Sequence, residues 1–145
     1  MTKQLGVASD HAGLELKRAL VTELEKRGVV VRDFGTATSD SCDYPDFAHA
    51  VGHAIGGGEI ERAILVCGTG VGMSIAANRH DTVRAVVCSE PLSARMSRQH
   101  NDANVLCIGA RIVGAKTAID IVDAFLGATF EGGRHATRIT KINAA

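Results

Sequence analysis

The run Ala63-Ile64-Leu65-Val66-Cys67 leads without a break into Gly68-Thr69-Gly70-Val71-Gly72. Its first half is continuously apolar, short and rich in aliphatic side chains, so it reads as a strand covered on both faces. The second half packs three glycines into five residues, a turn where the backbone bends tightly. A helical pattern continues from that turn to about Arg79. Strand, glycine turn and helix in that order open a βα unit, and a strand covered on both faces needs helices on both sides.

The same alternation extends in both directions. Towards the N-terminus, Leu5–Ala8 is a short apolar run that ends in Ser9-Asp10-His11-Ala12-Gly13. Leu16, Leu20 and Leu24 then recur at helical spacing, and Gly28 is a natural stop. Val29–Val31 with Asp33 and Phe34 reads as a second strand, and Asp46–Ile55 as a helix ended by Gly56-Gly57-Gly58. Towards the C-terminus, Arg84–Cys88 reads as a fourth strand and Pro91–Gln99 as a helix. Val105–Ile108 follows as a fifth strand, then a helix over Ala115–Leu126 and a short one over about 133–143. The pattern predicts an α/β fold: a single Rossmann-like three-layer domain over 1–145, with a five-stranded parallel sheet between helical layers and right-handed crossovers. Ligands in such sheets bind at the carboxyl ends of the strands. That rule selects Ser9, Asp10 and His11, then Cys67 to Gly72, then Ser89 and Glu90, then Gly109, Ala110 and Arg111.

Bulk properties narrow the function. The chain has 145 residues, 46% of them hydrophobic and 22% charged, which suits one globular core and excludes disorder. Aromatics make up only 3%, so the core is aliphatic. Sixteen basic residues balance sixteen acidic ones, which gives no electrostatic reason for a nucleic-acid or membrane partner. The segment Met1–Gly13 has no apolar stretch of signal-peptide length, and no run approaches a membrane span. The cysteines Cys42, Cys67, Cys88 and Cys107 lack CxxC spacing. The expectation is a soluble, cytoplasmic protein without a disulfide framework or a cysteine zinc site.

The turn after Cys67 presents several backbone N–H groups together, a cradle for an anion or an oxyanion. A dinucleotide site needs a third glycine where Met73 stands, and a phosphatase loop needs an arginine at that same position. Stabilising an enediolate needs only amides and a base. A cysteine at a strand end is ordinarily a small buried apolar residue, and Cys88 and Cys107 read that way. Cys67 differs because a helix start lies behind it, which favours the thiolate by about 0.3–2 kcal/mol and suits a base at neutral pH.

His100 lies in the polar stretch Ser97-Arg98-Gln99-His100-Asn101-Asp102, read as a connection between a helix and the fifth strand. His followed by Asn offers one titrating group and one amide able to hold a hydroxyl. His49 and His53 share a helix face but lack the Glu of a zinc motif, so they read as solvated, and His80 and His135 carry no signal. Arg134 and Arg138 lie one turn apart, two guanidinium forks suited to a phosphate dianion, with a solvated basic face as the alternative. Arg111 is a third candidate.

The blocks Ser9–Gly13 (SDHAG), Asp43–Ala48 (DYPDFA), Cys67–Asn78 (CGTGVGMSIAAN), Ala85–Pro91 (AVVCSEP), Ser97–Leu106 (SRQHNDANVL) and Glu131–Arg138 (EGGRHATR) stand in one order along nearly the whole chain. Together they resemble the type B ribose-5-phosphate isomerases, in the wider family that includes galactose-6-phosphate isomerase. The resemblance implies an aldose–ketose isomerase interconverting ribose 5-phosphate and ribulose 5-phosphate, with Cys67, His100 and Thr69 as its catalytic set; an isomerase of another aldose phosphate (allose 6-phosphate, galactose 6-phosphate or a tetrose 4-phosphate) and a non-catalytic nucleotide-binding module are the alternatives. Cys67 matches the proton-abstracting base and His100 the acid that assists ring opening. It further implies substrate contacts by Asp10 and His11, by Gly68, Thr69, Gly70, Val71 and Gly72, and by Asn101, Arg111, Arg134 and Arg138. Some members use a glutamate base in the following loop, where this chain has Met73 and Ser74. The resemblance implies no cofactor, no metal and a sugar phosphate as the small-molecule partner. It also implies a homodimer with sites shared between subunits, a tetramer being the alternative.

Overall fold

All five residues of β1 (Leu5–Ser9), β3 (Ala63–Cys67) and β5 (Val105–Gly109) are buried, as strands sandwiched between helices must be. The computed structural model describes residues 3–145. The remaining elements are α1 (Leu14–Lys26), β2 (Val31–Asp33), α2 (Tyr44–Gly56), α3 (Val71–Ala77), β4 (Ala85–Val87), α4 (Pro91–Asn101), α5 (Ala115–Gly127) and α6 (Arg134–Asn143). The five strands form one sheet in the order β2-β1-β3-β5-β4, and every pairing is parallel. Successive side chains alternate between its faces. Val7, Ile64, Val66, Leu106 and Ile108 pack with Leu20, Leu24, Ile121 and Phe125 of α1 and α5. Ala8, Leu65, Cys67, Val105 and Cys107 pack with Val51, Ala54, Met73 and Ala77 of α2 and α3. The expected three-layer α/β fold is the observed one.

The boundaries differ where side chains, not periodicity, set them. Strand β4 covers only Ala85–Val87, shorter than Arg84–Cys88. Its outer edge is met by Asn78, whose amide accepts from Ala85 N–H (2.8 Å) and donates to Ala85 C=O (2.9 Å). Helix α2 starts at Tyr44, ahead of the expected Asp46, with proline in its first turn. Helix α4 runs to Asn101, beyond the expected Gln99, so His100 and Asn101 are helical and not part of a connection. The polar stretch stays helical because arginines bind its end. Arg98 donates to Asp102 Oδ1 (2.8 Å) and Ala103 C=O (2.6 Å). Arg84 donates from Nε to Asn101 C=O (2.9 Å) and from Nη2 to Asp102 C=O (3.0 Å). These bonds occupy carbonyls that a helix end would otherwise leave unsatisfied.

The direction of the elements fixes what can meet. The strands all point one way, and each intervening helix carries the chain back to where the next strand starts. Residues that follow a strand therefore collect at the upper, carboxyl edge of the sheet. Residues at the C-termini of α2 to α5 collect at the lower edge. Among the described residues, no helix is long and apolar enough to cross a membrane.

One buried charge ties the first helix to the sheet edge. The Lys17 side chain is 3% exposed, and its ammonium donates to Asp33 Oδ1 (2.8 Å) and Thr36 C=O (2.6 Å). Removing the carboxylate leaves a dry ammonium short of a partner, whereas removing the amine leaves a half-exposed carboxylate that water can reach. Asp33→Ala is expected to cost about 3 kcal/mol and Lys17→Met about 1 kcal/mol, read as urea-unfolding free energies. Equal costs would contradict this assignment of the burden to the amine.

Candidate active site

Cys67 ends β3, buried, and pairs in register with Gly109 at the end of β5. Its Sγ accepts a hydrogen bond from Gly70 N–H at 3.2 Å, so the turn folds a donor back onto the sulfur. Gly70 has φ +80, a conformation that side chains disfavour. A Cβ there would also lie 2.9 Å from Val87 Cγ2 and 3.0 Å from the Ile108 carbonyl carbon. At Gly109 a Cβ would meet the Thr69 backbone at 2.6 Å. The turn and β5 are thus in backbone contact. Thr69 Oγ1 accepts from Val71 N–H at 3.3 Å, so the Gly70 and Val71 amides are engaged within the turn itself. The Tyr44 ring lies against Gly72, where a Cβ would come within 2.6 Å of it. Met73 is buried in the core, and the Ser74 hydroxyl donates to Val71 C=O. Neither offers a carboxylate.

Asp10 and His11 follow β1 at the same edge. The buried Asp10 carboxylate accepts from Gly13 N–H (3.0 Å) and holds the entry to α1. His11 Nδ1 accepts from Cys42 N–H (3.2 Å), which leaves Nε2 to carry the proton of the neutral ring. Cys42, a loop cysteine without an evident task in the sequence, lies with Sγ 3.8 Å from that nitrogen. Arg111 donates its N–H to Gly68 C=O (3.0 Å), and its guanidinium lies beside Gly68, 3.6 Å from a Cβ built there. One edge therefore collects a thiol, a carboxylate, an imidazole and a guanidinium around the glycine turn.

The other residues singled out from the sequence lie elsewhere. His100 is in the last turn of α4, five residues before β5 begins, at the lower edge. An eleven-residue helix such as α4 rises about 16 Å, so one chain keeps His100 well away from its own Cys67. Around His100 stand Glu131 and His135. The two imidazoles stack at 4.3 Å between centroids and 11° between planes. Glu131 Oε1 is 3.8 Å from His100 Nε2 and 3.6 Å from His135 Nε2. Burial pushes the His135 imidazole towards its neutral form, and His100 and Arg134 add to that push. Arg134 and Arg138 are exposed on α6, one turn apart. Asn101 opens onto a cavity of about 680 Å³ lined also by Asn78, His80, Arg84 and Ile142. The candidates form two groups at opposite edges: Asp10, His11, Cys67–Gly72 and Arg111 above, His100, Asn101, Arg134 and Arg138 below.

His135 carried no signal in the sequence, because its partner lies in another element. The same holds for His80. It sits over Gly52, with its Nε2 2.8 Å from His49 Nδ1 and its ring edge-on to His53. The His49–His53 pair is thus not simply a solvated face. Cys88 and Cys107 behave as expected of apolar residues. Burial, with Glu90 nearby, pushes the Cys88 thiol up to about 11, and complete burial pushes Cys107 well up.

The model of the Ribose/Galactose Isomerase family matches residues 5–142. The chain belongs to this family. It is 54% identical to ribose-5-phosphate isomerase B of Escherichia coli over 142 residues, 98% of this chain and 95% of that one. Among solved structures, ribose-5-phosphate isomerase B of Clostridium thermocellum superposes with a TM-score of 0.96 at 53% identity, covering 97% of this chain and 95% of that one. The Mycoplasma genitalium enzyme, solved with bound ribulose-5-phosphate, gives 0.94 at 42% identity, covering 99% and 96%. In this shared α/β frame the backbone contact between Gly109 and Thr69 holds the glycine turn against β5. Gly109→Ala must push the turn off β5. It is expected to cost about 1–3 kcal/mol of stability and roughly 100-fold in kcat/KM for a sugar phosphate. A fully active Gly109→Ala enzyme would show that the contact is not needed.

Proposed function

We propose that the chain interconverts ribose 5-phosphate and ribulose 5-phosphate, with Cys67 as the base and His100, from a second copy of the chain, as the acid. The observation that carries this reading is the separation of the half-sites. A thiol in a glycine turn occupies one edge of the sheet, and an imidazole flanked by exposed arginines occupies the other. A two-fold axis across the strands sets the upper edge of one copy against the lower edge of its mate and makes two equivalent sites. Large apolar side chains support such a contact. Val71 and Ile75 on α3, Val87 on β4, and Leu92 and Met96 on α4 are all exposed on the β4 side of the sheet.

In this mechanism the phosphate is anchored by Arg134 and Arg138, with His11 and Arg111 at the facing edge, so the reacting carbons sit over Cys67. His100 gives a proton to the ring oxygen as the C1–O4 bond of the furanose breaks and regains one from the C1 hydroxyl, which becomes the aldehyde, and Asn101 and Asp10 hold hydroxyls. The Cys67 thiolate takes the proton from C2 of the aldose, which leaves a cis-enediolate. Amides of the turn from Gly68 to Gly72, with Thr69, meet the charge on oxygen, those of Gly70 and Val71 turning to it from Cys67 Sγ and Thr69 Oγ1. The thiol returns its proton to C1 while the hydroxyl proton passes from O2 to O1, which gives the ketose. Atoms balance with no redox partner and no cofactor. The four cysteines are free, which supports a reducing, cytoplasmic setting.

Cys67→Ala is expected to abolish turnover while ribulose 5-phosphate still binds by calorimetry; turnover within a few-fold of the parent would sink the base assignment. Compared by kcat/KM across four-, five- and six-carbon aldose phosphates, the five-carbon substrate is expected to lead. A preference for a six-carbon sugar would move the assignment to an allose- or galactose-type substrate without altering the chemistry. Shared sites make a sharper prediction. Cys67→Ala and His100→Asn chains, each inactive alone, should on unfolding and refolding together regain about a quarter of the parent activity, because half the dimers are mixed and one of their two sites is intact. No recovery from a mixture that does form dimers would place both groups in one chain's site.

A further inference from the structure

We propose that His100, Glu131 and His135 form a binding site for a divalent transition metal of the zinc class, and that metal held there inhibits the enzyme. The inhibitory half rests on the role of His100 in the proposed function; the binding half does not. The three side chains come from the last turn of α4, the segment before α6 and the first turn of α6. Their positions are set by the backbone, since Glu131 N–H donates to Gln99 C=O at 3.0 Å. His135 is buried, and its ring is stacked against that of His100. One ligand atom from each of the three residues lies within 4.8 Å of the others, with Glu131 Oε1 at 3.8 Å and 3.6 Å from the two Nε2 atoms.

These spacings are close to those of an occupied site. Zinc binds imidazole nitrogen at about 2.0–2.1 Å, so neighbouring donors of a tetrahedron stand about 3.4 Å apart. The Glu131 contacts need to close by a few tenths of an ångström and the two imidazoles by up to about 1.4 Å, and the His100 ring, whose side chain is 32% exposed, must swing out of the stack so that both in-plane lone pairs converge on one ion. Two imidazoles and one carboxylate suit a borderline-soft cation and leave a fourth position for water. Glu131 is 51% exposed, so the ion reaches the site from solvent. Arg134 and Arg138 stand beside it and oppose a second positive charge, which makes this a reversible site and not a structural one. An ion on Nε2 of His100 takes the lone pair through which that ring would exchange its proton with the sugar. Metal and acid catalysis are therefore mutually exclusive.

The test uses chelator-stripped full-length protein. Zinc titrated in a calorimeter is expected to fill one site per chain, and cobalt to give a spectrum without a thiolate charge-transfer band. Glu131→Gln and His135→Asn should each weaken binding by at least the roughly 10- to 100-fold that an outer-sphere partner contributes, whereas His49→Asn should not change it. Isomerase activity should fall in step with zinc occupancy and return on adding EDTA. Unchanged affinity in both variants, a thiolate band pointing to Cys67 or Cys42, or loss of binding only in His49→Asn would overturn the site. Zinc bound as expected without loss of activity would overturn the inhibition. An absence of isomerase activity in the metal-free protein would strike the proposed function and leave the calorimetry to decide the site.

Discussion

Parallel strands cannot follow one another directly, so every pair needs a return path, and here each return is a helix. That constraint divides the molecule into an upper edge, reached after strands, and a lower edge, reached after helices. Cys67 leaves β3 at the upper edge, and His100 leaves α4 at the lower one. No side-chain rotation brings them together, because the full length of a helix separates them. An activity that needs both groups must recruit a second copy of the chain. The fold that presents the thiol at one edge is the same fold that carries the imidazole to the other.

Much of this frame could be read from residue patterns. β3 was legible to the residue, Ala63–Cys67, because a continuous apolar run ends abruptly at a glycine turn. α1 was legible because Leu16, Leu20 and Leu24 share one buried stripe and Gly28 adopts φ +79 just past its end. The ends of α4 and β4 were less legible for a common reason. Both are set by single polar side chains acting across the chain, Arg84 and Arg98 on one and Asn78 on the other. Such contacts leave no periodic trace.

The candidate site was legible in its chemistry and not in its geometry. Cys67, His100 and the arginine pair stood out as residue types with a plausible task. Nothing in their spacing says that they fall on opposite edges; the sheet order β2-β1-β3-β5-β4 and the direction of α4 say it. The histidines were the weakest point. His49 and His53 looked like a solvent-facing pair until His80, arriving from the end of α3, settled over the bare backbone of Gly52. His135 looked ordinary until it was found stacked on His100. In both clusters the partner lies more than twenty residues away, so only the tertiary fold reveals it.

The Asn78 amide has a consequence for assembly. A sheet that ends in a bare strand offers its unpaired peptide groups to any neighbour, and two such edges can zip together without limit. Asn78 mimics the next strand for a single residue, taking up both outward groups of Ala85. Copies of the chain that approach along β4 thus find the peptide groups at its first residue already occupied. What stays open to them on that side is the apolar relief of Ile75, Leu92 and Met96, side chains that can pack against a neighbour but carry no ladder of peptide groups to extend.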